Sequence, residues 1–201
     1  MASTTADDAT TRSAIVVPLR SFHDAKARLA EVLDGHDRVA LMRRLARQVI
    51  RAAGSHPVAV ITNDAAVIEF AQREGATIVG DPGTLDTAAS EGVHWARSIG
   101  CVRVVVLHAD LPFARAVTKL TAPGDARVAV IVPDQREDGT PAISIPVDST
   151  FRFAYGPQSF ARHCAAAESA ELAVEVLYDD DLGFDVDLPI DLEAMTKRMT
   201  S

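Results

Sequence analysis

The chain has only two cysteines, Cys101 and Cys164, and neither has a CxxC spacing or a nearby pair of histidines. Two cysteines are too few for a disulfide framework, and their surroundings give no indication of a zinc site. No apolar run approaches the roughly 20 residues that a helix needs to span a bilayer. Basic residues are also in the minority, with 20 Lys and Arg against 28 Asp and Glu in 201 residues and a formal charge of −8. Such a chain is a poor candidate for a protein that coats nucleic acid or binds a membrane surface.

The first thirteen residues, MASTTADDATTRS, lack the basic and apolar regions of a secretory signal. We expect residues 1–13 to be a disordered tail and residues 14–199 to form one domain, since a length near 200 supports little more than one sizeable core. Together with the low cysteine content, these features predict a reduced, cytoplasmic protein. The sequence leaves the oligomeric state open, with a homodimer among the possibilities.

Short β-branched runs alternate along the chain with longer segments of helical periodicity. This alternation predicts βαβ crossovers and a mainly parallel sheet with helices on both faces, a single three-layer α/β/α domain of Rossmann-like type. After Pro133 the pattern loosens, and a helix begins at Pro189, because proline suits the first turn of a helix. The predicted strands are 14–19, 58–62, 77–79, 102–107, 128–132, 142–146 and 173–177, and the predicted helices are 38–53, 65–74, 87–99 and 158–170.

In an open α/β sheet, ligands bind at the carboxyl ends of the strands, so the loops there are the first candidates for a binding site. The loop after the first strand carries Arg20, Lys26 and Arg28 within nine residues. Arginine makes bidentate contacts with phosphate and lysine supplies a point charge, so this loop could wrap a polyphosphate. The alternative is a solvated, basic start of a helix.

Acidic residues follow two other strands. Asp110 lies in the loop that follows the predicted strand 102–107, where a hard oxygen ligand would serve a nucleotide-bound Mg²⁺. The alternative is that Asp110 caps a following helix, with Pro112 in its first turn. Asp185 and Asp187 are two apart, and in an extended segment such residues project the same way, so they could converge on one metal ion or straddle a pair. Capping by Asp187 is the alternative, but it leaves Asp185 unexplained.

Two further segments contain small residues suited to anion binding. Thr140 follows Asp138-Gly139, and Gly156 precedes Ser159 at the start of the predicted helix 158–170. Glycine lets backbone amides approach an anion, and a serine at a helix N-terminus can bind phosphate. The alternative is a plain turn followed by an N-cap. His163, in the same helix, is expected to be a structural histidine rather than a base.

The order of these segments is specific. The sequences VPLRxxxxAKARL, ADLP, a GT loop, YGPxSFxRH and DVDxPxDL together resemble the CofC/FbiD guanylyltransferases of coenzyme F420 biosynthesis, over residues 14 to about 195. The resemblance implies a GT-A-like nucleotidyltransferase domain. It also implies Mg²⁺-dependent transfer of GMP from GTP to phosphoenolpyruvate or 2-phospho-L-lactate, with a 3-phosphoglycerate-type acid as a variant, and release of pyrophosphate.

Carried over by position, the resemblance implies roles for individual residues. Asp110, Asp185 and Asp187 would hold the metal ion. Asp110, Lys26 and Arg28 would be catalytic. Thr140, Gly156 and Ser159 would bind the acid, and the nucleotide would lie near Arg20, Lys26, Arg28, Leu85 and Asp86.

Three positions depart from the family pattern. Arg20 replaces a common lysine, Asp86 replaces an asparagine, and His108 precedes Ala109-Asp110. Two alternatives to the guanylyltransferase follow. One is a nucleotidyltransferase of the same fold with another phosphorylated acceptor, although a GGxSxRMGxxK loop is absent. The other is a non-catalytic nucleotide-binding paralogue, for which Asp86 is the main argument.

Overall fold

A computed structural model describes residues 12–23, 26–115, 117–123 and 126–200. Most of the predicted tail, residues 1–11, lies outside the described residues, and the first strand begins at Ser13, one residue before its predicted start. The strands are β1 (Ser13–Pro18), β2 (Val58–Ile61), β3 (Thr77–Val79), β4 (Arg103–Leu107), β5 (Val128–Val132), β6 (Ala142–Pro146) and β7 (Ala173–Val176), and the helices are α1 (Gly35–Ala52), α2 (Ala65–Arg73), α3 (Leu85–Ser98), α4 (Thr118–Thr121), α5 (Ser159–Ser169) and α6 (Pro189–Thr200).

Local capping explains where the helices differ from the sequence prediction. α1 begins three residues early, because the side chain of Asp34 accepts a hydrogen bond from the Asp37 N–H. α3 begins two residues early, because Thr84 and Thr87 form a reciprocal capping box. The 3-10 turn at Ala27–Leu29 and the four-residue α4 were not predicted, since both are too short to show a helical period.

The described strands form one sheet in the order β3-β2-β1-β4-β6-β5-β7. β1 pairs in parallel with β2 and β4, and β5 pairs in parallel with β7. β6 alone is antiparallel, and it lies between β4 and β5. The mainly parallel sheet is therefore confirmed. Because β6 is reversed, the residues just before it lie at the same edge as the ends of β1 and β4.

Two hydrophobic cores cover the two faces of the sheet. Ile15 and Val17 of β1 pack in the core that contains residues of α1, α2, α4 and α6. Ala14 and Val16 face the other way, into the core formed with α3 and α5. This alternation is expected for a strand that is buried on both sides. It confirms a single α/β domain with three layers. None of the helices in the described part of the chain is both long and apolar enough to cross a membrane.

Close packing of α3 on β1 depends on a glycine. A Cβ atom added at Gly92 would lie 2.4 Å from Cγ1 of Val16 and 2.7 Å from its Cγ2, well inside van der Waals contact. The valine is fully buried and cannot move aside freely. Gly92 therefore sets how closely α3 approaches the sheet, and with it the position of the first turn of α3.

We expect Gly92→Ala to lower the free energy of unfolding by about 1 to 3 kcal/mol, because the added methyl group overpacks the core. Gly35→Ala is the matched control, since a Cβ at Gly35 would meet only an Arg38 nitrogen, at 3.9 Å. The control gains helix propensity without a clash, so it should be neutral or slightly stabilising. Urea unfolding of both variants checks the prediction. Equal effects of the two substitutions would contradict it.

Candidate active site

A cleft opens at the edge of the sheet where β1 and β4 end. Two adjoining cavities form it, and they share Pro18, Leu19, Arg20 and Leu85 in their walls. The first cavity is also lined by Lys26, His108 and Asp110, whereas the second extends toward the loop between β3 and α3. This is the position at which open α/β sheets bind ligands. The cleft therefore collects the loops that the sequence singled out after β1 and β4.

Lys26 lies at the centre of the site. Its Nζ donates a hydrogen bond to Oδ2 of Asp110 and another to Oδ1 of Asp187, the latter at 2.6 Å. Only 5% of the Lys26 side chain is exposed. Burial by itself would lower the pKa of Lys26, but the Asp110 and Asp187 carboxylates outweigh it and raise the pKa above its ordinary value. Lys26 is therefore positively charged at neutral pH, and its ion pairs connect the loop after β1 to Asp110 and Asp187.

The backbone of Lys26 is strained to allow this contact. Its φ of 60° lies in the left-handed region, which a residue other than glycine adopts at a cost of about 1 kcal/mol. Such strain is retained where the surrounding structure fixes the conformation, and it is common at functional sites.

Asp110, Asp185 and Asp187 form a carboxylate triad beside Lys26. One oxygen from each lies within 4.8 Å of the others. Burial opposes ionisation of Asp110, but Lys26 and His108 hold its pKa below the ordinary value. Burial and the charges of Asp110 and Asp187 raise the pKa of Asp185 to about 7. The single positive charge of Lys26 therefore does not balance the negative charge of the three carboxyl groups.

The triad fits a small divalent cation. Its donors are carboxylate oxygens, which are the ligands that Mg²⁺ prefers. Oδ1 of Asp110 is buried and has no hydrogen-bond partner among the described residues, so it is left free for a ligand. The extended segment after β7 brings Asp185 and Asp187 to the same side, as the two-residue spacing predicted. Asp110 does not cap a helix, because the residues after it form turns rather than a helix.

The segment that carries Asp185 and Asp187 is held by two residues that the sequence did not single out. Oδ2 of Asp191 accepts hydrogen bonds from the backbone N–H groups of Asp187 and Leu188, at 3.0 and 2.7 Å. Its Oδ1 accepts a hydrogen bond from Arg136, at 3.0 Å. Asp191 is the third residue of α6, where an acidic side chain commonly reaches back to the preceding backbone. The position of Asp191 in the first turn of α6 is therefore a local sequence signal for its role. Arg136 lies 55 residues away in the sequence, so no local pattern could indicate its contact with Asp191.

The three basic residues of the first loop have different surroundings. Lys26 meets the triad, as described. Arg20 lines the cleft, and its guanidinium donates to Asp81, at 3.1 Å, and to the carbonyl oxygen of Gly83. Arg28 lies exposed on the 3-10 turn, and within the described residues its side chain has no hydrogen-bond or ion-pair partner. The loop is therefore more than a solvated helix start, since one of its cations is buried at the site.

The first turn of α3 presents its two candidate residues in different directions. Leu85 lines both cavities of the cleft. Oδ1 of Asp86 accepts a hydrogen bond from the Tyr155 N–H at 2.7 Å, and Asp86 lines a separate groove with residues 150–153. The hydrogen bond from Tyr155 to Asp86 therefore connects the segment before α5 to the first turn of α3. Its role in nucleotide binding stays a prediction.

The GT loop and the start of α5 meet as one unit. Oγ1 of Thr140 lies 3.4 Å from Oγ of Ser159 and 3.0 Å from Nδ1 of His163. Oδ1 of Asp138 accepts a hydrogen bond from the Gln158 N–H, at 3.0 Å. Gly156 lies just before, with a φ of 103° that favours glycine. Ser159 is the first helical residue and Gln158 the N-cap, so the alternative in which Ser159 caps the helix is wrong.

His163 is a structural histidine, as predicted. It is fully buried, and burial lowers its pKa to about 4, so its ring is neutral at pH 7. Nε2 accepts a hydrogen bond from the Ala154 N–H at 2.9 Å. The proton of the neutral ring is therefore on Nδ1, which donates it to Thr140. Because Thr140 accepts there, its own hydroxyl hydrogen can be donated to a ligand.

Solved structures with low sequence identity share this architecture. A protein described as a nucleotide-diphospho-sugar transferase from Desulfovibrio desulfuricans matches with a TM-score of 0.76 at 20% identity, over 92% of this chain and 87% of that one. A nucleotidyl transferase from Methanothermobacter thermautotroptrophicus matches with a TM-score of 0.64 at 14% identity, over 94% and 98% of the two chains. The chain therefore shares the fold of these proteins, one of which is described as a nucleotidyl transferase.

Sequence comparison defines the family within this class. The family model described as guanylyl transferase CofC like matches residues 13–197. A phosphoenolpyruvate guanylyltransferase from Rubrobacter xylanophilus is 35% identical, over 88% of this chain and 90% of its own length. One from Conexibacter woesei is 34% identical, over 92% and 88%. The chain belongs to the CofC-like guanylyltransferase family and is a nucleotidyltransferase.

The raised pKa of Asp185 predicts a pH-dependent stability. Between pH 4 and about 7 the folded chain holds a proton on Asp185 that the unfolded chain releases, so the metal-free fold loses stability as the pH rises. We expect the stability of Asp185→Asn relative to the unsubstituted chain to increase by about 2 kcal/mol from pH 5 to pH 8. Urea unfolding in a chelator, with the exposed Asp180→Asn as control, measures this difference. A difference that does not change with pH would contradict the prediction.

Proposed function

We propose that this protein transfers GMP from GTP to phosphoenolpyruvate, releases pyrophosphate and acts in the biosynthesis of coenzyme F420. The observation that carries the proposal is the juxtaposition of the carboxylate triad, Lys26 and a cleft that has room for a ligand. The acceptor is taken from the relatives described as phosphoenolpyruvate guanylyltransferases. 2-Phospho-L-lactate and a 3-phosphoglycerate-type acid are the other candidate acceptors.

The proposed reaction needs little acid or base chemistry. A phosphate oxygen of the acid attacks the α-phosphorus of GTP and forms a new P–O bond. The bond from the α-phosphorus to the bridging oxygen breaks, and pyrophosphate leaves with the electron pair. The attacking phosphate is already ionised at pH 7, so no general base is required. The main barrier is the repulsion between two anions, which a preorganised set of positive charges reduces.

Asp110, Asp185 and Asp187 would hold Mg²⁺ in this scheme. When bound, the ion would neutralise phosphate charge and orient the reacting groups. Lys26 adds a fixed positive charge at the same carboxylates. Asp191 keeps the backbone of Asp187 in place through its two hydrogen bonds to the N–H groups of Asp187 and Leu188. Arg20, which is exposed in the cleft wall, is available for the phosphates of the nucleotide.

The acid would bind at the unit formed by Thr140, Gly156 and Ser159. The Thr140 hydroxyl can donate to an anion, because its oxygen accepts from Nδ1 of His163 and from the Ser159 hydroxyl. The unit lies next to the triad, because the backbone N–H of His108 donates to the carbonyl oxygen of Pro141, at 2.8 Å. This proximity supports binding of the acceptor beside the metal ion.

The alternative of a non-catalytic paralogue loses its main argument. That alternative depended on the negative charge of Asp86 near the nucleotide. The Asp86 carboxylate accepts a hydrogen bond from the Tyr155 backbone and lines a groove separate from the cleft. An acidic residue at this position is therefore compatible with nucleotide binding. Leu85, the residue before it, lies in the wall of the cleft.

Pyrophosphate release tests the proposal. The protein is incubated with Mg²⁺, GTP and each of the three acids, and the product is identified by mass spectrometry. We expect turnover with GTP and phosphoenolpyruvate and much slower turnover with ATP or CTP. Thermal stabilisation by GTP and Mg²⁺ without turnover of any acid would favour the non-catalytic alternative.

Asp110→Asn tests the proposed metal site. The amide keeps the shape of the side chain but loses the charge that ligates the ion and pairs with Lys26. We expect kcat to fall by about 100-fold or more, with an unchanged circular dichroism spectrum. Asp148→Asn, an exposed carboxylate at the opposite edge of the sheet, serves as the control and should keep full activity. Near-normal activity of the Asp110 variant would place the metal ion elsewhere.

A further inference from the structure

Besides Oδ1 of Asp110, two buried polar atoms beside the cleft have no hydrogen-bond partner among the described residues. They are Nε2 of His108 and the hydroxyl oxygen of Tyr155. Leaving a buried polar group unpaired costs a fold about 1 to 3 kcal/mol, so such groups usually mark a ligand or a bound water. The rings of the two residues touch, with centroids 5.4 Å apart. The two unpaired atoms therefore belong to one small region of the site.

His108 lies between the two halves of the proposed site. It follows the last residue of β4 and precedes Asp110 of the triad by two positions. Its backbone N–H donates to the carbonyl oxygen of Pro141, the neighbour of Thr140. A ligand that extends from the triad to Thr140 must therefore pass close to His108.

Tyr155 is held rigidly from several sides. Its ring packs edge-on against His163, with centroids 4.7 Å apart, and stacks with Phe153, with centroids 5.8 Å apart. Its backbone N–H is fixed by Asp86, and its carbonyl oxygen accepts a hydrogen bond from Arg162. The hydroxyl group is thus placed before any ligand arrives, which reduces the entropy lost on binding.

We infer that His108 and Tyr155 bind the carboxylate of the acceptor acid. The inference rests on the proposed function, because it assumes an acceptor with one phosphate and one carboxylate. The phosphate of that acceptor must face the triad and the α-phosphorus of GTP, so its carboxylate lies on the side of Thr140. There the Tyr155 hydroxyl is one donor and the Thr140 hydroxyl is a second, and Nε2 of His108 is a third in the tautomer that carries its proton on that nitrogen. A carboxylate can accept all three.

Tyr155→Phe tests the inference, because it removes only the unpaired oxygen. We expect the KM for phosphoenolpyruvate to rise about tenfold or more, since a hydrogen bond to a charged group is lost. The KM for GTP should stay unchanged, and the melting temperature should stay the same or rise, because an unpaired polar atom has been removed from the interior. Tyr178→Phe is the matched control: Tyr178 is the other tyrosine of the chain and is 66% exposed. It should change neither KM.

A pair of His108 variants gives a second test. Glutamine places an amide donor near the position of Nε2, whereas alanine removes the donor altogether. We expect His108→Gln to keep a lower KM for phosphoenolpyruvate than His108→Ala, with both variants close to the unsubstituted chain in their KM for GTP. Equal KM values for the acid in the two variants would contradict a hydrogen-bonding role for His108.

Two outcomes with Tyr155→Phe would overturn the inference. A raised KM for GTP with an unchanged KM for the acid would mean that the pair faces the nucleotide. Unchanged values for both substrates would mean that the unpaired atoms bind neither. Failure of the proposed function itself is distinguishable, since the unsubstituted chain would then turn over no acid. In that case thermal stabilisation by phosphoenolpyruvate with Mg²⁺ and GTP, compared between the unsubstituted chain and Tyr155→Phe, decides the inference.

Discussion

The arrangement of the whole site depends on one ammonium group held between two carboxylates. Lys26 follows β1, Asp110 follows β4, and Asp187 follows β7, so the contact joins the start, the middle and the end of the chain. Buried carboxylates repel one another strongly unless a cation compensates them. Burial keeps the pKa of Asp185 raised, and so do the charges of Asp110 and Asp187, which a single lysine compensates only in part. This charge imbalance is the physical basis for proposing a metal ion at the triad.

The same interaction explains how an acidic protein can bind anionic substrates. The acidic excess of the chain is concentrated in residues 168–201, and Asp187 of that segment forms an ion pair with Lys26 from the basic start of the chain. A metal ion on the triad would reverse the local sign of charge. The reversed strand β6 adds the second half of the site, because it brings Thr140 to the edge where the parallel strands end. The net charge of −8 therefore argues against nucleic acid but not against a small phosphorylated ligand.

Much of this structure could be predicted from local sequence patterns. The alternation of strands and helices indicated the three layers, and the spacing of Asp185 and Asp187 indicated their common direction. The reversal of β6, the contact of Arg136 with Asp191 and the burial of Lys26 could not be predicted, because they depend on residues distant in the sequence. Lys26 and Asp187, for example, are 161 positions apart. A loop with three basic residues also gave no local sign that only one of them would be buried.

A crystal structure with Mn²⁺ and a non-hydrolysable GTP analogue would test the central claim most directly, since Mn²⁺ replaces Mg²⁺ and scatters anomalously. The account predicts an anomalous peak within ligand distance of Asp110 and of at least one of Asp185 and Asp187, with the nucleotide phosphates in the cleft beside Arg20. It also predicts that Lys26 stays in contact with the triad or turns toward the phosphates. A peak elsewhere on the protein, with Lys26 still bridging Asp110 and Asp187 and no metal on the triad, would contradict the account.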